Sequence, residues 1–129
     1  MYLLDTSALL AHCFGEPGAG EVDEILASKS GYVAAVTWFE LRVKLQGSSD
    51  APAVLQIYAE AVAGTVDINR EVAERAFELR KAAGGRIPTA DSLIAGAAIS
   101  RGYQLVHRDA HLAAIPAHLL AQVVLPSKR

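Results

Sequence analysis

With 129 residues the chain is long enough for one domain with a full core and too short for two. Hydrophobic residues make up 52% and aromatics only 6%, so the core must be built from Ala, Val, Leu and Ile, as suits helices packed on a small parallel sheet. The formal charge of -2 excludes a global electrostatic attraction to nucleic acid, so any such binding must rest on local Arg or Lys or on metal ions.

Taken in order, Tyr2-Leu3-Leu4 reads as a short buried strand. It runs into Asp5, with Thr6 or Ser7 as cap of a helix from Ser7 to Cys13. Gly15-Glu16-Pro17-Gly18 stops that helix. These glycines follow a helix rather than a strand and no Lys-Ser or Lys-Thr comes after them, so they meet neither the dinucleotide fingerprint nor the P-loop pattern. Cys13 is the only cysteine, which excludes an internal disulfide and a cysteine metal cluster and fits a reducing compartment. It is read as a small buried apolar residue. A second helix carries Val22, Ile25 and Leu26, and Tyr32 to Val36 is the second strand. Thr37 is the expected cap of a third helix through Gln46, with Glu40 in its first turn and Lys44 four residues on.

A fourth helix opens at Asp50 and ends at Gly64, and Thr65 to Ile68 forms a third strand. Asn69 caps a fifth helix whose apolar stripe is Val72, Ala73, Ala76, Phe77 and Leu79. After the Gly84-Gly85-Arg86-Ile87-Pro88 break, Thr89 begins a sixth helix through Ser100 that is apolar nearly all round and carries Asp91 near its start. Tyr103 to Val106 is a fourth strand running into His107-Arg108-Asp109, Leu112 to Ile115 a short helical turn, and Val123 to Leu125 a final edge strand. Strands alternate with helices without repeat or linker, so the expected fold is a single-domain α/β parallel sheet sandwiched by helices, spanning 1-129. No apolar run approaches the ~20 residues of a membrane span, and a soluble, cytoplasmic protein without membrane contact is expected.

Four acids share one edge of this scheme. Asp5 and Asp109 end strands, while Glu40 and Asp91 start helices, and about 98% of parallel crossovers are right-handed, which brings all four to the carboxyl edge where α/β folds bind ligands. Three of them have a plainer reading: Asp5 and Asp91 as helix caps, Glu40 as a surface partner of Lys44. Converging carboxylates repel one another and stay ionised together only around a cation. A hard oxygen set selects Mg²⁺ or Mn²⁺ over zinc, and His12, His107, His111 and His118 show no paired zinc spacing.

The segments Leu4-Asp5-Thr6-Ser7-Ala8-Leu9, Glu40, Ala90-Asp91-Ser92-Leu93-Ile94-Ala95 and Arg108-Asp109 resemble the four acidic motifs of the PIN-domain nucleases. The compact length and the first acid at residue 5 are similar to the VapC-type toxins of toxin–antitoxin pairs. The resemblance spans nearly the whole chain and implies a PIN-like three-layer fold and Mg²⁺- or Mn²⁺-dependent cleavage of RNA. It also implies a homodimer, a cognate antitoxin protein, and Asp5, Glu40, Asp91 and Asp109 as catalytic residues. Where the last motif of that family usually reads Thr-x-Asp, this chain has His107, which is then a candidate to contact substrate, and Leu112 stands where Phe is common.

On this reading Asp5 and Asp91 chiefly hold the ion, Asp109 helps directly or through water, and Glu40 either orients the attacking water or binds a second ion that joins with the phosphate. Arg42, Arg86 and Arg108 are candidates to hold flanking phosphates, and Trp38, Phe39, Leu41 and Tyr58 to bind an antitoxin helix. A haloacid-dehalogenase-type phosphohydrolase also opens on a strand ending in Asp, but it needs a second Asp two residues on, where this chain has Ser7. A non-catalytic RNA- or protein-binding module of the same fold is the other alternative. Four acids gathered beside a polyanion speak against it.

Overall fold

In the computed structural model, which describes residues 1–127, the strands are β1 (Tyr2–Leu4), β2 (Gly31–Ala34), β3 (Gly64–Val66), β4 (Gln104–His107) and β5 (Gln122–Val124). They form one sheet in the order β3-β2-β1-β4-β5, every pairing parallel. The helices are α1 (Thr6–Cys13), α2 (Ala19–Ala27), α3 (Ala35–Leu45), α4 (Ala51–Ala61), α5 (Arg70–Ala82), α6 (Thr89–Arg101) and α7 (Ala110–Ala113). Short strands suffice because the central strands β1, β2 and β4 are buried on both faces: alternate residues point opposite ways along a strand. Leu3, Ala34, Val66 and Leu105 enter one core with Val72 and Leu79 of α5, Ile94, Ala95, Ala97 and Ala98 of α6, and Leu112 of α7. Leu4, Val33 and Val106 face the other way, onto Ala8 and Leu9 of α1, Val22 and Leu26 of α2, Leu41 of α3, and Tyr58 of α4. The result is the expected three-layer α/β sandwich.

The α5–α6 pair explains the run of small residues in α6. A Cβ added at Gly96 would lie 2.7 Å from the Val72 carbonyl oxygen and 2.8 Å from the Ala76 nitrogen, so the helix backbones approach too closely for any side chain there.

The chain leaves β1 to build β2 and β3 on one side, then returns through α6 to place β4 and β5 on the other. The strand order therefore reverses between β1 and β4, and the connections leaving these two neighbours part and open a crevice above their carboxyl ends. Asp5 N–H donates to the Val106 carbonyl at 2.9 Å, holding the two strand ends together below that crevice.

Several local expectations shift. The cap of α1 is Asp5 itself rather than Thr6 or Ser7. Helix α3 begins at Ala35, so β2 ends at Ala34 and Thr37 lies inside the helix, fully buried, instead of capping it. Glu40 is thereby in the second turn of α3, not the first. Helix α6 is entered from Pro88 rather than capped by Thr89. Cys13 is half-buried, and Phe77 of the expected apolar stripe is 62% exposed. Of the apolar residues proposed for a partner, Leu41 and Tyr58 belong to the core, while Phe39 is 68% exposed.

Candidate metal centre

Asp5 is 4% exposed at the end of β1. Its backbone is extended and its Oδ2 accepts from the Ser7 N–H at 3.0 Å and the Ser7 hydroxyl at 2.6 Å. The cap and the functional reading are thus the same side chain: two donors at the positive end of α1 fix one carboxylate oxygen. Burial raises the Asp5 carboxyl above its ordinary value, opposed by the Ser7 bonds. Ser7 Oγ also accepts from the Arg108 N–H at 3.0 Å, so one hydroxyl joins the ends of β1 and β4.

The neighbouring Thr6 fixes the second acid. Its hydroxyl donates to Glu40 Oε1 at 2.5 Å and lies 3.3 Å from the hydroxyl of Thr37. Glu40 therefore faces inward to α1, and the surface pairing with Lys44 is not what holds it.

Asp91 projects from the first turn of α6. Burial, then the charges of Asp109, Asp5 and Glu40, push its carboxyl up to about 6, with His111 acting in the opposite sense. A helix N-terminus ordinarily favours the anion; here desolvation and three neighbouring acids outweigh it. Asp109 follows β4 and caps α7, Oδ1 accepting from the N–H groups of His111 at 2.8 Å and Leu112 at 3.1 Å. Asp91, Asp109 and His111 each bring one ligand atom within 4.8 Å of the others. The charges of Asp109, Asp5 and Glu40 all act on Asp91, which puts the four acids at one crevice, but the close group of ligand atoms is Asp91, Asp109 and His111, with Asp5 and Glu40 outside it.

His107 is fully buried and cannot touch a substrate. Its Nδ1 accepts from the Asp109 N–H at 3.0 Å, which places the ring proton on Nε2, and Nε2 donates to Gln122 Oε1 at 2.7 Å. The Gln122 amide in turn donates to the Ile115 carbonyl at 3.0 Å. Arg108 is also withdrawn from the phosphate-binding role expected of it. Its guanidinium, with the side chain only 10% exposed, pairs with Glu16 in the turn before α2. Ser7, Thr6 and His111 contribute to the site without having been singled out for it by sequence, which offered Thr6 or Ser7 only as a helix cap. Their signal was proximity alone: Thr6 and Ser7 directly follow Asp5, and His111 is two residues past Asp109.

A parallel sheet with a switch-point crevice lined by acids defines a class of α/β proteins with a candidate cation-binding edge. Within it, this chain belongs to the PIN domain family, whose model matches residues 2–117. Solved structures share the fold. VapBC2 from Rickettsia felis bound to a promoter DNA fragment is 18% identical with a TM-score of 0.77, over 97% of this chain and 98% of that one. DNA-bound VapBC from Salmonella typhimurium is 19% identical at 0.77, over 95% and 96%. VapBC-5 from Mycobacterium tuberculosis, described as a member of the VapBC family of toxin-antitoxin systems, is 25% identical at 0.65, over 97% of each chain. Among curated proteins none matches the chain in sequence.

Proposed function

We propose that the chain is a divalent-metal-dependent endoribonuclease and the toxin of a toxin–antitoxin pair. The observation that carries this reading is geometric: Asp91, Asp109 and His111 bring ligand atoms within 4.8 Å of one another, and burial together with the charges of Asp109, Asp5 and Glu40 pushes the Asp91 carboxyl up to about 6. Anions so crowded favour a cation among them, and the donors are carboxylate oxygens with one imidazole alongside, a set that suits Mg²⁺ or Mn²⁺. Asp5 and Asp91 are the chief candidates to hold the ion, with Asp109 contributing directly or through water. Once bound, a divalent ion supplies neutralisation of phosphate charge and lowers the pKa of a bound water.

The residues of the chain do the rest. Ser7 holds Asp5 through Oδ2, and Thr6 holds Glu40 through Oε1, so both carboxylates are set before substrate arrives. Glu40 orients the water that attacks phosphorus; as the water's oxygen bonds there and gives up a proton to solvent, the bond to the leaving oxygen breaks and that oxygen takes up a proton from solvent. Arg42 and Arg86 remain the candidates for flanking phosphates.

The partner and location follow the same reading. The similar solved structures are described as VapBC, and one of them as a member of the VapBC family of toxin-antitoxin systems, which supports a cognate antitoxin for this chain; exposed Phe39 and Val43 beside α4 offer apolar surface to it. A homodimer and a cytoplasmic site of action complete the proposal. Among the described residues no helix is long and apolar enough to cross a membrane. The test is incubation of purified protein with total cellular RNA and Mg²⁺ or Mn²⁺, followed by mapping of new ends. New ends that EDTA prevents are expected. Intact RNA across a range of divalent ions, with binding retained, would instead make the chain a non-catalytic RNA-binding module.

A further inference from the structure

A hollow of about 360 Å³ opens beside the acids, between the segment that leads into α6 and the segment that carries α7. Its base is Ile87 and Ile115, 4% and 5% exposed, and its sides include Ala83 and Ala114. Arg86 and His111 stand at its lining as the groups able to carry positive charge.

We propose that this hollow seats one unstacked nucleobase of an RNA strand, next to the phosphate being cut. The inference rests on the nuclease reading and extends it to substrate choice. Continuity with the acids is the first argument. Ile87 lies four residues before Asp91, and the α7 side follows directly from Asp109. His111 both lines the hollow and brings a ligand atom within 4.8 Å of Asp91 and Asp109. A strand whose phosphate lies at the acids therefore carries an adjoining nucleoside over the opening.

Chemistry is the second argument. The interior is apolar, which disfavours a phosphate inside it but suits the face of a heteroaromatic ring, while Arg86 is placed for the phosphate attached to it. Among the described residues that line the hollow the imidazole of His111 is the one aromatic ring, and the remaining walls are mostly aliphatic, so a base is selected chiefly by its fit to those walls. A paired base is held in its helix and does not reach such a site, so the substrate is single-stranded or looped RNA. Because the hollow is fixed relative to the acids, one position beside the cut is read.

Ala114 is exposed and is the position to fill. Wild type, Ala114→Phe and Ala114→Leu, each checked by thermal melting, are given a random-sequence single-stranded RNA pool with Mn²⁺, and the new ends are sequenced. The expected result is a base preference of about tenfold or more at one position flanking the wild-type cut, the lower end of what fit in an apolar pocket discriminates. That preference falls toward uniform in the filled variants. The leucine variant carries the test if the phenylalanine one fails to fold. An unchanged preference in a folded variant, a wild type that cuts without preference, or an equal loss of cutting at every base overturns the hollow's role. Failure of the wild type to cut any RNA is a separate result: it removes the nuclease reading itself.

Discussion

The N–H of Asp109 donates to Nδ1 of His107, two residues earlier, and the same imidazole is held from its far side by Gln122. This buried ring fixes the backbone from which the Asp109 carboxylate projects. Two isosteric substitutions separate its two bonds. His107→Asn leaves an oxygen near Nδ1 to accept from Asp109, while His107→Gln leaves an amide near Nε2 to reach Gln122. Both lose part of the network and both should melt lower than wild type. Loss of an outer partner typically weakens metal binding about 10–100-fold, and Mn²⁺ titration should show that loss in the Gln variant and a smaller one in the Asn variant. Equal affinities in the two variants would mean that the ring serves stability alone.

Asp91 makes stability depend on pH in a definite direction. Its folded pKa, about 6, lies above the ordinary value of 3.8, so the folded state binds the proton more tightly. The stability it contributes is fully present below 3.8 and is lost as the pH rises through about 6. Asp91→Asn removes the charge and keeps the shape, so the metal-free variant should melt above the metal-free wild type at pH 7 to 8, and the gap should close as the pH falls toward 4. Added Mn²⁺ should raise the wild-type melting temperature and leave the variant little changed. A gap independent of pH would show that the carboxylate is not held against repulsion.

Ser7 joins two strand ends, its hydroxyl donating to Asp5 and accepting from the Arg108 N–H. Ser7→Ala leaves a main-chain donor and a buried carboxylate each one bond short. A cost of about 1–3 kcal/mol is expected from such unmet groups, read by chemical denaturation. A change within experimental scatter would show that water replaces both bonds.

Gly96→Ala sets helix propensity against space. Alanine is favoured over glycine by about 0.8–1.0 kcal/mol in a helix interior, yet its Cβ would meet the α5 backbone at 2.7 to 2.8 Å. Overpacking of this kind costs about 1–3 kcal/mol, so net destabilisation is expected in urea unfolding. A more stable variant would show that α5 and α6 separate freely.

Much of this could be read from the chain beforehand, for reasons that differ by residue. Asp5 and Asp109 stood out because a short apolar run ended in each, and Asp91 because it was the single acid in a helix otherwise apolar on every side. The sandwich followed from alternating strand and helix signals. The helix caps were less legible. At Asp5, Thr6 and Ser7 three good capping residues are consecutive, and the carboxylate alone reached two donors. At Ala35 and Val36 no periodicity separates the end of a strand from the start of a helix, so α3 began two residues before Thr37. His107 could not be placed because its partner Gln122 lies 15 residues away on a strand joined only in the folded sheet. The withdrawal of Arg108 depended likewise on Glu16, 92 residues earlier.

The central claim is that four carboxylates from separate segments meet so closely that a divalent cation belongs among them. Calorimetric titration of Mn²⁺ into wild type, Asp5→Asn and Asp91→Asn tests it without recourse to any substrate. Saturable binding to the wild type, weakened at least about tenfold by either substitution on the scale of altered metal sites, is the predicted result. No binding to the wild type, or the same affinity in all three proteins, would contradict it.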